Sequence, residues 1–190
     1  MIENEQALID KASAGDKAAF DVLAKEYIPR LERFAVLMGV EESGDVTQEA
    51  LHEAYTSLSS FGRTSQFSSW LIGIALNMCR RWHRKRAAKS APRVGDVPDR
   101  IDSRNPDRSI FSGLVRREDA ERISLALDAL APSFREAFVL KYVENLDYRE
   151  IGRLTGVSEG TARVRAHRAT VLLRTELGPA FATLLGQSRR

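Results

Sequence analysis

The stretch Asp147–Leu173, DYREIGRLTGVSEGTARVRAHRATVLL, holds two helix starts and a glycine stop in close succession. Asp147 and Glu150 stand three apart as a capping-box pair, which predicts a short helix bearing Ile151 and Leu154. Gly156 suits the left-handed residue that ends such a helix, and Ser158 suits the cap of a longer second one. On that second helix Ala162, Ala166, Ala169 and Leu173 share an inward face, whereas Glu159, Arg163, Val164, His167 and Arg168 face outward. A short helix, a glycine turn and a longer helix form the plan of a helix-turn-helix. Its second helix fits a DNA major groove, where Arg is the commonest reader of guanine edges. An ordinary helical hairpin with a solvated basic face satisfies the same pattern.

Working upstream, Ile123, Leu127 and Leu130 give a further helix face, and Ser133 with Glu136 after Pro132 reads as another capping box. Ala137, Phe138 and Leu140 follow as core candidates. Residues 87–116 break the pattern: Pro92, Pro98, Pro106, two glycines and many charges predict a flexible linker. About thirty extended residues reach many tens of ångströms.

The first 86 residues are helical in period and show no sustained alternation of the strand kind. Phe20, Leu23, Tyr27, Leu31, Phe34 and Met38 form one stripe, with Pro29 expected to kink the helix. A second helix is expected from Asp45, capped by its carboxylate with Gln48 as partner, burying Leu51, Ala54, Tyr55 and Leu58. A third is expected from about Ser68 to Arg86, with Leu71, Ile74, Ala75, Met78 and Trp82 inward. Asp45, Gln48, Glu49 and His52 recur at helical spacing with Glu53 beside them, an acidic stripe suited to a positively charged protein partner or simply to solvent. Arg80, Arg81, Trp82, His83, Arg84, Lys85 and Arg86 either neutralise phosphates and stack on unpaired bases or complement the helix macrodipole. The loop Ser59–Ser69, with Phe61 and Phe67 among small polar residues, either holds a flipped base or plainly connects two helices.

The chain has 190 residues, 43% hydrophobic content and a net charge of +3. Its isoelectric point is about 9.2, and short basic blocks point to a polyanionic partner. Cys79 is the only cysteine, which excludes an intramolecular disulfide and a thiolate zinc cluster and fits a reducing cytoplasm. Acidic residues in Met1–Asp10 argue against a signal peptide, and the apolar run Trp70–Cys79 is too short to insert across a bilayer. His52, His83, His167 and Cys79 form no metal or nucleophile motif, and no Gly-rich phosphate loop is present. No catalytic residue, metal or cofactor is therefore expected. A stand-alone helix-turn-helix regulator would explain the C-terminal half, but not the acidic stripe, aromatic loop and basic helix together.

Taken together these segments resemble the sigma-70 family, specifically its small extracytoplasmic-function (ECF, group four) members. Asp16–Ala35 resembles the family's first helix, and Asp45-Val46-Thr47-Gln48-Glu49-Ala50 its D-x-x-Q-E segment. Phe61-Gly62, Phe67, Ser69-Trp70-Leu71 and Ile74-Ala75-Leu76-Asn77 resemble its minus-ten signature. Leu130-Ala131-Pro132, Tyr142-Val143-Glu144, Tyr148-Arg149-Glu150-Ile151 and Gly156-Val157-Ser158 through Ala169 resemble its minus-thirty-five reader. The resemblance implies an all-α chain of two small domains, residues 1–86 and 117–177, joined by the linker 87–116 and followed by a short tail 178–190. It implies polymerase clamp contacts from Asp45, Gln48, Glu49, His52 and Glu53. Minus-ten contacts would come from Phe61, Ser65, Phe67, Trp70, Asn77, Arg80, Arg81, Arg84 and Lys85. Minus-thirty-five contacts would come from Ser158, Glu159, Thr161, Arg163, Val164, Arg165, His167 and Arg168. The partners implied are core RNA polymerase, through its clamp helices and flap, promoter DNA, and an anti-sigma factor. The chain departs from the family in having Ala162 and Ala166 where larger aliphatics are usual, and Val164 where many members carry Ser.

Overall fold

The computed structural model describes residues 4–90 and 117–182. These residues form helices and turns, with no strand among them. The helices are α1 (Glu5–Ser13), α2 (Lys17–Leu37), α3 (Ser43–Ser57), α4 (Phe67–Ser90), α5 (Arg117–Asp128), α6 (Pro132–Phe138), α7 (Tyr148–Thr155) and α8 (Glu159–Leu177). A 3₁₀ turn, Leu58–Ser60, follows α3, and a π-helical turn, Val139–Val143, continues α6. Two compact units result. Residues 4–35 and 42–90 belong to the first, and residues 36–41 and 117–182 to the second. Of the expected linker, residues 87–90 are the last of α4; residues 91–116 lie outside the described residues, as do 183–190 of the tail.

In the first unit Asp16 accepts a hydrogen bond from the Ala19 N–H at 3.1 Å and so caps α2, which runs through Pro29 without ending. α3 starts two residues earlier than expected. Its cap position is Glu42, whose carbonyl accepts the Val46 N–H, so Asp45 lies inside the first turn and does not cap. The earlier start buries Ser43, Val46 and Thr47 beside Ala50, Leu51, Ala54 and Leu58. Tyr55, expected in the core, is exposed and packs at a tilt against Phe20, ring centroids 5.0 Å apart. On α4 the buried line is Phe67, Leu71, Ile72, Ala75, Leu76 and Cys79; Ile74, Met78 and Trp82 lie to its side, only half buried. The expected stripe was therefore rotated by part of a turn. Cys79 is fully buried, so its thiol is a packing group.

The second unit is built on α8, against which α5, α6 and α7 pack. Asp147 Oδ1 accepts the Glu150 N–H at 2.7 Å, Gly156 adopts φ +70°, and Ser158 Oγ accepts the Thr161 N–H at 3.1 Å, as their spacing predicts. α6 differs: its cap is Ala131 with Pro132 at the first helical position, where proline's missing N–H and fixed φ are suited, so Ser133 does not cap. Gly152 allows the two helices of the motif to close, since a Cβ there would sit 2.7 Å from the Val157 carbonyl oxygen. Ala162, Ala166 and Ala169 are all buried, bringing the α8 backbone close to its neighbours. Arg135 is buried too. Its Nε–H donates to the Leu127 carbonyl at 2.7 Å and its Nη2 to Asp128 at 2.8 Å, closing the end of α5, and burial lowers its pKa from the ordinary guanidinium value. Residues 178–182 do more than trail: Ala180 and Phe181 are buried, with Phe181 6.4 Å from Phe138.

Candidate nucleic-acid interface

Asp45, Gln48, Glu49, His52 and Glu53 all emerge exposed on α3. Their helical spacing turns a sequence stripe into one continuous acidic face opposite the buried line. Beside it a groove of about 420 Å³ between α2 and α3 is lined by Phe20, Ala24, Ile28, Leu51 and Tyr55 together with Lys17, Asp21, Lys25, Gln48 and His52. Polar groups on an apolar floor suit a protein partner better than a phosphate backbone.

The basic block of α4 is divided by helical geometry into two faces. Trp70, Asn77, Arg81 and Arg84 follow one another at steps of seven, four and three residues and share one side, the last three exposed and Trp70 half buried. Trp82, Lys85, Arg86 and Lys89 turn toward α3. There the Trp82 Nε1–H donates to Glu42 at 2.6 Å, Lys85 lies 3.9 Å from Glu49, and Arg86 sits 5.2 Å above the Trp82 ring. Lys85, expected among the phosphate contacts, is thus placed against the acidic face of α3, and Arg80 is half buried.

In the loop before α4, Phe61 lies 5.0 Å from Trp70 and 5.7 Å from Phe67, and Phe67 lies 5.5 Å from Tyr27. Phe67 is only 4% exposed, which corrects the expectation that it offers an edge to a base: it is the floor on which Phe61 and Trp70 rest. Ser65 is half exposed at the rim. Arg63 adopts φ +53°, a conformation disfavoured for a residue with a Cβ, and its guanidinium pairs with Asp10 on α1. The Tyr27 hydroxyl donates to Glu5 on the same helix, and burial together with that bond holds the phenol above its ordinary pKa. Neither α1 nor its links to the loop was legible from spacing, because Asp10 and Arg63 are far apart in the chain.

On α8, Ser158, Glu159, Thr161, Arg163, Val164, His167 and Arg168 are exposed, Val164 at 50%. Ser158 and Thr161 already spend hydrogen bonds on each other and on the cap. Arg163 donates to Glu159 at 2.9 Å. Arg165 departs from the others: it is half buried, in a cleft of about 460 Å³ shared with Phe134, Val164 and Arg168. Among the described residues no three His, Cys, Asp or Glu side chains converge to hold a metal, and no helix is long and apolar enough to cross a membrane.

The sigma-70 region 2 model matches residues 23–89, and the sigma-70 region 4 model residues 120–173. RNA polymerase sigma factor CarQ of Myxococcus xanthus is 34% identical over 171 residues, covering 86% of this chain and 92% of that protein. ECF RNA polymerase sigma factor SigE of Mycolicibacterium smegmatis is 31% identical over 171 residues, covering 87% of this chain and 65% of that protein. A solved structure of the sigma factor RpoE in complex with the anti-sigma factor NepR from Bartonella quintana shares the fold, with a TM-score of 0.66 at 23% identity over 84% of this chain and 97% of that one. The two matched regions fall on the two helical units in order, and with CarQ alike over nearly its full length the chain belongs to the sigma-70 family of transcription-initiation factors, within its extracytoplasmic-function group.

Proposed function

We propose that this chain binds core RNA polymerase and directs it to promoters, capturing minus-ten bases with the first unit and reading a minus-thirty-five element with α8. The observation that carries the reading is the division of chemistry within the first unit. An acidic face on α3 with an adjoining groove of mixed apolar and charged lining suits a protein, whereas the Trp70, Asn77, Arg81 and Arg84 side of α4 suits a nucleic-acid strand. In this reading Asp45, Gln48, Glu49, His52 and Glu53 meet the polymerase clamp. Phe61, Ser65 and Trp70, supported from below by Phe67, receive an unstacked base, while Arg81 and Arg84 meet phosphates. The chain acts in the cytoplasm by binding and positioning, with no chemistry on a substrate.

In the same reading Arg163, exposed on α8, reads a base edge. In holoenzyme assembled with Arg163→Ala, affinity for a minus-thirty-five duplex selected from a random pool is expected to fall by about 1–3 kcal/mol, with a much smaller loss on scrambled duplex. Equal losses on both would reduce Arg163 to a phosphate contact.

An anti-sigma factor is proposed as a further partner, supported by the complex with NepR reported for the B. quintana relative. Affinity purification of the tagged chain from its native cells is expected to recover a protein that suppresses its transcription activity. Recovery of polymerase alone under every growth condition would contradict this.

A further inference from the structure

We propose that Tyr148 is a positioning residue for base reading: its ring holds the Arg163 guanidinium in the orientation from which α8 discriminates bases. The inference rests on the minus-thirty-five reading of α8 given above.

Tyr148 opens α7, the first helix of the motif, and its half-buried ring faces α8. The Arg163 guanidinium lies 5.0 Å from the ring centroid, and the Lys141 ammonium lies 4.7 Å from it. Arg163 is also held by Glu159, one turn earlier on its own helix, at 2.9 Å. An exposed arginine otherwise samples many rotamers, and ordering it on DNA costs entropy. Two restraints from different helices remove much of that freedom beforehand and aim the planar fork.

The ring is itself anchored. Tyr148 shares a side-chain hydrogen bond with Tyr142, which stacks on Phe138 at 5.1 Å, and Phe138 is wholly buried. Lys141 and Tyr142 both lie in the π-helical turn, whose wider winding gives the Glu144 N–H to Val139 O bond at 3.0 Å. Lys141 also donates to the Leu146 carbonyl at 3.1 Å, tying that turn to the segment before α7. The path from core to reader is therefore Phe138, Tyr142, Tyr148, Arg163, each step a direct contact. Glu159 alone offers only an exposed intrahelical pair, a weak restraint.

The test measures holoenzyme affinity for the selected minus-thirty-five duplex relative to scrambled duplex, in wild type and in an Arg163→Ala background, with helical content checked by circular dichroism. Tyr148→Leu is expected to narrow that ratio roughly 3- to 30-fold, while Tyr148→Phe, which keeps the ring, preserves it. In the Arg163→Ala background Tyr148→Leu should change the ratio by no more than about twofold. Should Tyr148→Leu lose helical content, Tyr148→Met replaces it with a flexible side chain that lacks a π face. An unchanged ratio for the folded ring-less variant overturns the proposal, as does a loss for Tyr148→Phe equal to that for leucine, or an undiminished loss without Arg163. If Arg163→Ala itself leaves the ratio intact, the base-reading role of Arg163 fails and the positioning role with it. If Arg163→Ala narrows the ratio and the Tyr148 variants do not, only the positioning role fails.

Discussion

Phe67→Ala is expected to destabilise the first unit by about 3–5 kcal/mol, the range for truncating a buried phenylalanine. The ring is 4% exposed and lies 5.5 Å from Tyr27 and 5.6 Å from Trp70, so its loss opens a cavity beneath the loop that precedes α4. A thermal scan should show the corresponding transition falling by roughly 12 °C or more. Phe61→Ala should cost less, since Phe61 is only half buried, yet it removes the ring that stands over Trp70. The pair separates support from contact: Phe67→Ala should lower stability first, and Phe61→Ala should weaken minus-ten strand binding in a folded protein. A Phe67→Ala midpoint indistinguishable from wild type would contradict the placement of this ring in the core.

The double substitution Asp45→Lys with Glu49→Lys should reduce affinity for core polymerase roughly 30-fold or more, the scale of losing interface hot spots of 2 kcal/mol or above. Both side chains are exposed one turn apart on α3, so the reversal replaces an acidic face with a basic one without disturbing the buried line Val46, Ala50, Ala54. Its folding cost is small. Lys at position 45 meets the positive end of the helix dipole at about 0.3–1 kcal/mol, and turning the exposed Glu49 pair with Lys85 at 3.9 Å into a like-charge contact beside Arg86 and Lys89 adds a repulsion of similar size. Fluorescence titration against core polymerase, with a thermal scan as control, measures the effect. Unchanged affinity in a folded variant would remove the clamp assignment.

What was legible in the chain follows the range of the forces involved. The helix-turn-helix signals at Asp147, Gly156 and Ser158 are local, each depending on a residue's own backbone conformation or on a hydrogen bond three residues away, and the structure bears them out. Signals that compete with tertiary packing misled. Asp45 and Gln48 have capping-box spacing, but burying Ser43, Val46 and Thr47 draws the helix start back to Ser43. Ser133 lost to Pro132 for the same kind of reason, since proline already fits the first helical position. On α4 nearly every residue from Trp70 to Cys79 is apolar, so periodicity could not choose the buried face, and neighbours set it at Leu71, Ile72, Ala75, Leu76 and Cys79.

Within the candidate sites, the exposed stripe of α3 and most of the outward face of α8 were readable because a helix converts spacing directly into direction. The basic block of α4 was not: seven successive residues look like one patch, whereas the helix sends Arg81 and Arg84 to one side and Lys85 to the other. Arg63 with Asp10, and Tyr148 with Arg163, are contacts between separate helices or loops that no local pattern announces.

Promoter-directed initiation by this chain is measured by run-off transcription with purified core RNA polymerase on promoter-containing DNA from its source genome. Discrete start sites are expected, appearing only when the chain is added. Absence of start sites and of core binding, with duplex DNA binding intact, would contradict it and favour a stand-alone helix-turn-helix regulator.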